Sequence, residues 1–99
     1  MVRRAAKVDT NQPEIVAALK AVGASVQHLH MVGDGCFDIL VGFRGVNYLL
    51  EIKTSTGKLN DLQKEFRGKW KGHKDVVRSI DQALFAIGAI HSYEIQETT

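Results

Sequence analysis

Residues 37–53 read Phe37-Asp38-Ile39-Leu40-Val41-Gly42-Phe43-Arg44-Gly45-Val46-Asn47-Tyr48-Leu49-Leu50-Glu51-Ile52-Lys53. Phe37 to Phe43 is apolar and rich in β-formers, and Val46 to Lys53 is a second such run. Arg44-Gly45 between them is a turn signal, so the stretch predicts a hairpin. With Arg44 and Gly45 as the two turn residues, Phe43 faces Val46. Pairing then runs outward and sets Asp38 directly opposite Glu51. Opposed side chains share one face, with Cβ atoms about 4.5–5.5 Å apart. Lys53 lies two residues beyond Glu51 and joins that face. Ile39, Val41, Leu50 and Ile52 point the other way, into the core. A longer turn would slip the register and weaken the direct pairing. The alternation within Glu51-Ile52-Lys53 would survive it.

Two adjacent carboxylates repel each other unless one is protonated or a cation lies between them. A hard divalent ion such as Mg²⁺ takes oxygen ligands, typically one or two carboxylates plus substrate phosphate. The backbone carbonyl of Ile52 offers one more oxygen. Such an ion polarises a scissile phosphate and lowers the pKa of a bound water. Lys53 is then placed to orient that water or to offset charge building on the phosphate. The same three residues also describe a cross-strand salt-bridged patch with no chemistry, and charge alone does not separate the two readings.

Outward from the hairpin, the remaining elements follow local signals. On the N-terminal side, Asn11-Gln12-Pro13-Glu14 reads as a helix start. Asn11 caps, Pro13 sits in the first turn, and Glu14 falls three after Asn11 as in a capping box. Ile15, Leu19 and Val22 form the apolar stripe, and Gly23 ends the helix. Ser25 to Met31 alternates as a short strand, broken by Gly33-Asp34-Gly35. On the C-terminal side, Thr54 to Lys58 is a loop, and Asn60 caps a second helix with Gln63 three residues later. Leu59, Leu62, Phe66 and Trp70 give it a stripe expected to be buried, and Gly72 closes it. Asp75 to Arg78 is a fourth strand. Ser79 with Gln82 starts a third helix that runs to about Ile87, before Gly88. Ile90, Tyr93 and Ile95 fit either a small extra strand or a contact with a partner chain. The order helix-strand-strand-strand-helix-strand-helix predicts an α/β domain with a mixed four-stranded sheet flanked by helices. Residues 1–10 read as a basic lead and 11–99 as one domain, with its core over about 11–88 and a short tail to 99.

Composition agrees with a small globular domain: 99 residues, 44% hydrophobic and 24% charged, with a net charge of +2. No run of about 18 apolar residues predicts a membrane span, and Arg3, Arg4 and Lys7 precede no apolar stretch of a secretory signal. Cys36 is the one cysteine, which allows no intrachain disulfide and fits a reducing cytoplasm. A chain this short has a modest core, and oligomerisation is a natural way to cover leftover apolar surface. Charge is uneven. Lys58, Lys64, Arg67, Lys69, Lys71, Lys74 and Arg78 face only Asp61, Glu65 and Asp75 within the same stretch. A basic segment beside an acidic pocket suits a phosphate-backbone partner, although a solvated helix face has the same composition.

Gly35-Cys36-Phe37-Asp38, twelve further residues and then Glu51-Ile52-Lys53 resemble the PD-(D/E)XK nuclease signature. The order of elements is also similar to that family's core, a restriction-endonuclease-like architecture. The closer resemblance is to the VRR-NUC (virus-type replication-repair nuclease) group, related to Holliday junction resolvases. Val76-Val77-Arg78-Ser79-Ile80-Asp81 and Ala83-Leu84 look like the end of that domain, and the likeness spans roughly residues 11 to 85. Phe37 stands where the family usually has Pro. That residue supplies no ligand, so the change falls on how the strand is entered.

This resemblance implies an early-helix Glu at Glu14, the Asp at Asp38, the Glu-x-Lys at Glu51 and Lys53, and a helix Gln at Gln63. It implies Mg²⁺- or Mn²⁺-dependent endonuclease hydrolysis of DNA, with Glu14, Asp38, Glu51 and the Ile52 carbonyl holding metal. Gln63 supports the site through a water or the phosphate. Branched DNA such as a Holliday junction is the implied substrate, a homodimer the implied assembly, and the cytoplasm of a bacterial or phage-infected cell the implied location. Lys58, Lys64 and Arg67 are the candidate contacts to the DNA backbone. The alternative is a non-catalytic DNA-binding module on the same fold.

Several residues have plainer readings beside these. Glu14 and Gln63 both fit capping-box partners, of Asn11 and Asn60. Asp34 in Gly-Asp-Gly reads as a turn residue. His28 and His30 share a strand face and approach the site, but no CxxC or HExxH pattern accompanies them, so zinc is not expected. Cys36 has no His at a spacing that argues nucleophile chemistry. Phe66, Trp70 and Phe85 read as core, and Tyr48 as the better exposed aromatic.

Overall fold

The structure is a computed structural model and describes residues 10–92. Arg3, Arg4 and Lys7 of the basic lead, and Tyr93 and Ile95 of the tail, lie outside the described residues. The elements are α1 (Gln12–Ala21), β1 (Ser25–His28), β2 (Ile39–Phe43), β3 (Val46–Ile52), α2 (Asp61–Lys69), β4 (Lys74–Val77) and α3 (Ile80–Ala86). The sheet order is β1-β2-β3-β4. The first three strands pair antiparallel, and β4 runs parallel to β3. This is the expected mixed sheet in the expected order.

The hairpin has the register that its two-residue turn demands. Phe43 pairs with Val46 and Ile39 with Leu50. Arg44 and Gly45 both take positive φ, 52° and 81°, as a tight primed turn requires. The Arg44 guanidinium lies over the Phe43 ring, 4.7 Å from its centroid. β2 starts at Ile39 rather than Phe37 because of Asp38. Its carboxylate Oδ2, rather than a main-chain carbonyl, takes the Ile52 amide at 2.8 Å. β1 is also shorter than expected. The Leu29 amide still reaches the Asp38 carbonyl at 2.7 Å, but the Val32 amide then bonds the Leu29 carbonyl and turns the chain.

One face of the sheet carries the core. Ile15, Val16 and Leu19 of α1 and Ala83 of α3 pack with Ile87 on Ile39, Val41, Leu50, Ile52 and Val77. Alternation along the strands leaves Asp38, Leu40, Leu49, Glu51 and Lys53 on the opposite face, where α2 lies. The expectation of a buried α2 stripe needs correction. No residue of α2 is buried, and Leu62 and Trp70 are 56% and 43% exposed. The physical reason is partnership. Two helices share the core face, whereas α2 is alone on the other, where Gln63 reaches Glu51 of β3 and the Phe66 ring packs beside the start of β2. That ring packs on buried Phe37 with centroids 5.2 Å apart, and Trp70 stacks on Phe66 at 5.6 Å.

The cap of α1 also differs from expectation. Asn11 makes no side-chain cap. Its Nδ2 instead donates to the carbonyls of Lys53 at 3.1 Å and Arg78 at 3.2 Å. It thus ties the ends of β3 and β4 together, and the capping-box role for Glu14 falls away with it. No helix among the described residues is long and apolar enough to cross a membrane.

Candidate active site

The loop after β1, the start of β2, the end of β3 and the first turn of α2 enclose a cleft of about 320 Å³. Asp38, Glu51, Lys53 and Gln63 all line it, with His30, Gly33, Gly35, Cys36, Asn60 and Leu62. The hairpin therefore delivers its two carboxylates and its lysine to one space. Glu51 is only 2% exposed. An isolated buried carboxylate would be costly, and two partners meet its Oε2. The Lys53 ammonium stands 3.4 Å away, and the Gln63 amide donates at 2.9 Å. Oε1 of the same carboxylate is buried and takes no hydrogen bond.

Gln63 forms the cap that the sequence offered it and also reaches a site carboxylate. Its Oε1 accepts the Asn60 amide at 3.0 Å while its own amide donates to Asn60 Oδ1 at 2.8 Å, a complete capping box. Its Nε2 is left to hold Glu51. A glutamate would cap equally well but has no such donor.

The loop is held against α2 by an unusual backbone. Gly33, Asp34 and Gly35 all take positive φ. A Cβ on Gly35 would collide with the Leu62 carbonyl, so loop and helix meet backbone to backbone. Asp34 is exposed at φ 57° and outside the cleft lining, which fits a turn residue. Cys36 lines the cleft as an intermediate, free thiol. Burial, then the Glu51 and Asp38 carboxylates, push its pKa above the ordinary thiol range. A thiol held protonated is a poor nucleophile.

The structure does not bring Glu14 to this site. It is exposed on α1 and absent from the cleft lining. The buried polar side chain of α1 is Gln12, 3% exposed, with Nε2 at 3.5 Å from His28 Nδ1. Sequence reasoning passed over it, although its spacing from Ile15, Val16 and Leu19 puts it on the buried stripe.

Of the seven cations counted between 58 and 78, three are engaged. Arg78 Nη1 donates to the carbonyls of Thr54 and Gly57, both at 2.6 Å, and so fixes the loop that leaves Lys53. Lys74 Nζ donates to the Trp70 carbonyl, and Lys69 pairs with Glu65 at 3.8 Å. Lys58, Lys64 and Arg67 are exposed. On α2, Arg67 follows Gln63 by one turn and so lies on the cleft side.

Beside the cleft lies an apolar groove of about 550 Å³, lined by Leu29, Val32, Leu40, Leu49, Phe66 and Trp70 among others, and sharing Gly33 and Cys36 with it. Among the described residues no three His, Cys, Asp or Glu side chains gather to hold an ion. A hard cation that takes two carboxylates and fills its shell with carbonyl, water and phosphate oxygens needs no third. The Asp38 and Glu51 pair, with the Ile52 carbonyl at the strand end, fits that chemistry.

No family model matches the sequence, and no curated protein matches it. Among solved structures, a chain described as a VRR_NUC domain is similar to this one at 24% sequence identity and a TM-score of 0.64. The match covers 80% of this chain and 96% of the other. The chain has the fold of that VRR_NUC domain.

Proposed function

We propose that this protein is a metal-dependent endonuclease that hydrolyses DNA phosphodiester bonds, with branched DNA as its preferred substrate. The observation that carries the reading is the convergence of Asp38, Glu51, Lys53 and Gln63 on one cleft of a nuclease fold. Asp38, Glu51 and the Ile52 carbonyl would hold Mg²⁺, or Mn²⁺ in its place. When bound, the ion supplies Lewis-acid polarisation of the phosphate and a more acidic water.

The protein's own residues do the rest. Lys53 projects its ammonium into the cleft beside Glu51 and stabilises negative charge on the phosphate oxygens as the P–O bond breaks. Gln63 acts through Glu51 by fixing which way its Oε2 faces. Lys58, Lys64 and Arg67 meet the phosphates on either side, a contribution that salt screens. Two such sites on a symmetric dimer would cut two strands of a junction. The exposed apolar groove along α2, lined in part by Val32 at 62% exposure, is the surface that a second copy would cover.

Cleavage of a four-way junction, a flap, a splayed fork and a linear duplex of matched sequence, in Mg²⁺ and in Mn²⁺, tests the reading. Cutting that favours the junction supports all of it. Equal cutting of every substrate removes the preference for branches. Salt-sensitive binding without cutting leaves the non-catalytic DNA-binding module.

A further inference from the structure

His30 has no place in the mechanism above, yet it lines the cleft with Asp38, Glu51, Lys53 and Gln63. It also lines a second pocket, on the α1 side, with Gln12, Pro13, Val16 and His28. His28 pairs with core-side Ile39, and continued alternation would place His30 on the core side of the sheet too. The turn that begins after Leu29 carries it round the sheet end to the cleft instead. Its ring meets that of His28 edge-on, with centroids 5.9 Å apart, and His28 is in turn approached by Gln12.

The ring has one unusual feature. Its Nδ1 is buried and has no hydrogen-bond partner. A neutral imidazole carries its proton on one nitrogen and a lone pair on the other. A buried N–H without an acceptor is the rarer and costlier defect, whereas an unmet acceptor is better tolerated. The proton therefore belongs on Nε2. The ring then carries a single N–H donor, with the His28 ring packed edge-on against it.

We propose that His30 is a substrate-binding residue, its Nε2–H donating to a non-bridging oxygen of the DNA phosphate that enters the cleft. A phosphate diester carries only acceptors, and the side-chain donors lining the cleft are few: the Lys53 ammonium, the Asn60 amide, the Gln63 amide already committed to Glu51, and His30. This rests on the nuclease reading for the identity of the ligand, but not for the tautomer or the contact.

Two measurements test it. The first is the ring ¹⁵N spectrum of the wild-type protein, with and without a short DNA duplex in Ca²⁺. The expected result is the Nε2–H tautomer at His30, with its signals moving on duplex addition while those of exposed His91 stay. The second is the duplex affinity and kcat/KM of three variants whose melting is checked in parallel. His30→Gln keeps an amide near the Nε2 position and should retain most of the wild-type affinity. His30→Asn and His30→Ala should lose about ten-fold or more, the scale of one hydrogen bond to a charged group. An Nδ1–H tautomer, unmoved His30 signals, or equal behaviour of all three variants would overturn the inference. Cleavage with an unmoved His30 signal sinks this contact alone. A moved signal with no cleavage sinks the catalytic reading and leaves the contact standing.

Discussion

The Gln63 side chain joins the capping box of α2 to the buried carboxylate of Glu51, with its Nε2 2.9 Å from Glu51 Oε2. One residue therefore starts the helix and aims a site carboxylate. Substitutions separate the two jobs. Gln63→Glu keeps the capping box but sets a second carboxylate against Glu51. It should melt within about 1 kcal/mol of wild type yet lose cleavage roughly ten- to hundred-fold. Gln63→Ala loses the cap as well, at a cost of about 1 kcal/mol in stability. Melting curves and kcat on the same preparations compare them, and equal activity of Gln63→Glu and wild type would remove Gln63 from the site.

Gly35 should be among the least replaceable residues of the chain. Gly35→Ala adds both a disfavoured positive φ and a clash with the Leu62 carbonyl. The expected loss is about 2 kcal/mol or more, which for a domain of this size lowers Tm on the order of 10 °C. Gly45→Ala supplies the comparison, because it shares the positive φ but a Cβ there meets nothing. A Gly35→Ala protein that melts no lower than Gly45→Ala would mean that the loop and α2 do not touch as described.

Glu14 and Cys36 are expected to be nearly silent. Glu14 is exposed and outside the cleft, and the Cys36 thiol is pushed toward its protonated form by burial and the two carboxylates. Glu14→Ala and Cys36→Ser should each keep kcat/KM within about three-fold of wild type, less than 1 kcal/mol of transition-state binding. A hundred-fold loss in Glu14→Ala would restore the early-helix glutamate to the site.

Lys64 and Arg67 carry a prediction in salt dependence. Replacing either with Ala should weaken DNA binding across sequences and reduce the slope of log affinity against log salt by about 1. Lys69→Ala, which removes a cation already paired with Glu65, should change the slope less. Titrations at several salt concentrations read both.

Local signals made the hairpin legible in sequence, because a two-residue turn fixes register, and register fixes which side chains share a face. Asp38, Glu51 and Lys53 followed from that alone. The capping role of Gln63 followed from its spacing to Asn60 and its place in the site from the family resemblance, but its bond to Glu51 is a tertiary contact that no spacing reveals. The failures share a cause. Asn11 looks like a cap by its position, yet the carbonyls of Lys53 and Arg78, 42 and 67 residues away in sequence, take its amide. Trp70 and Leu62 look like core by periodicity, yet periodicity does not say whether a helix face finds a partner. Gln12 was readable in the α1 stripe and was eclipsed by the more suggestive charge of Glu14.

The most direct test compares DNA cleavage by the wild-type protein with that of Asp38→Asn and Lys53→Ala, in Mg²⁺ and after chelation with EDTA. Asp38→Asn preserves an acceptor for the Ile52 amide, so the hairpin end should survive while the charge is lost. The expected result is cleavage that EDTA abolishes and that each substitution reduces at least about a hundred-fold, with melting little changed. Undiminished cleavage by both variants, or cleavage indifferent to chelation, would contradict a metal-dependent site built on Asp38, Glu51 and Lys53.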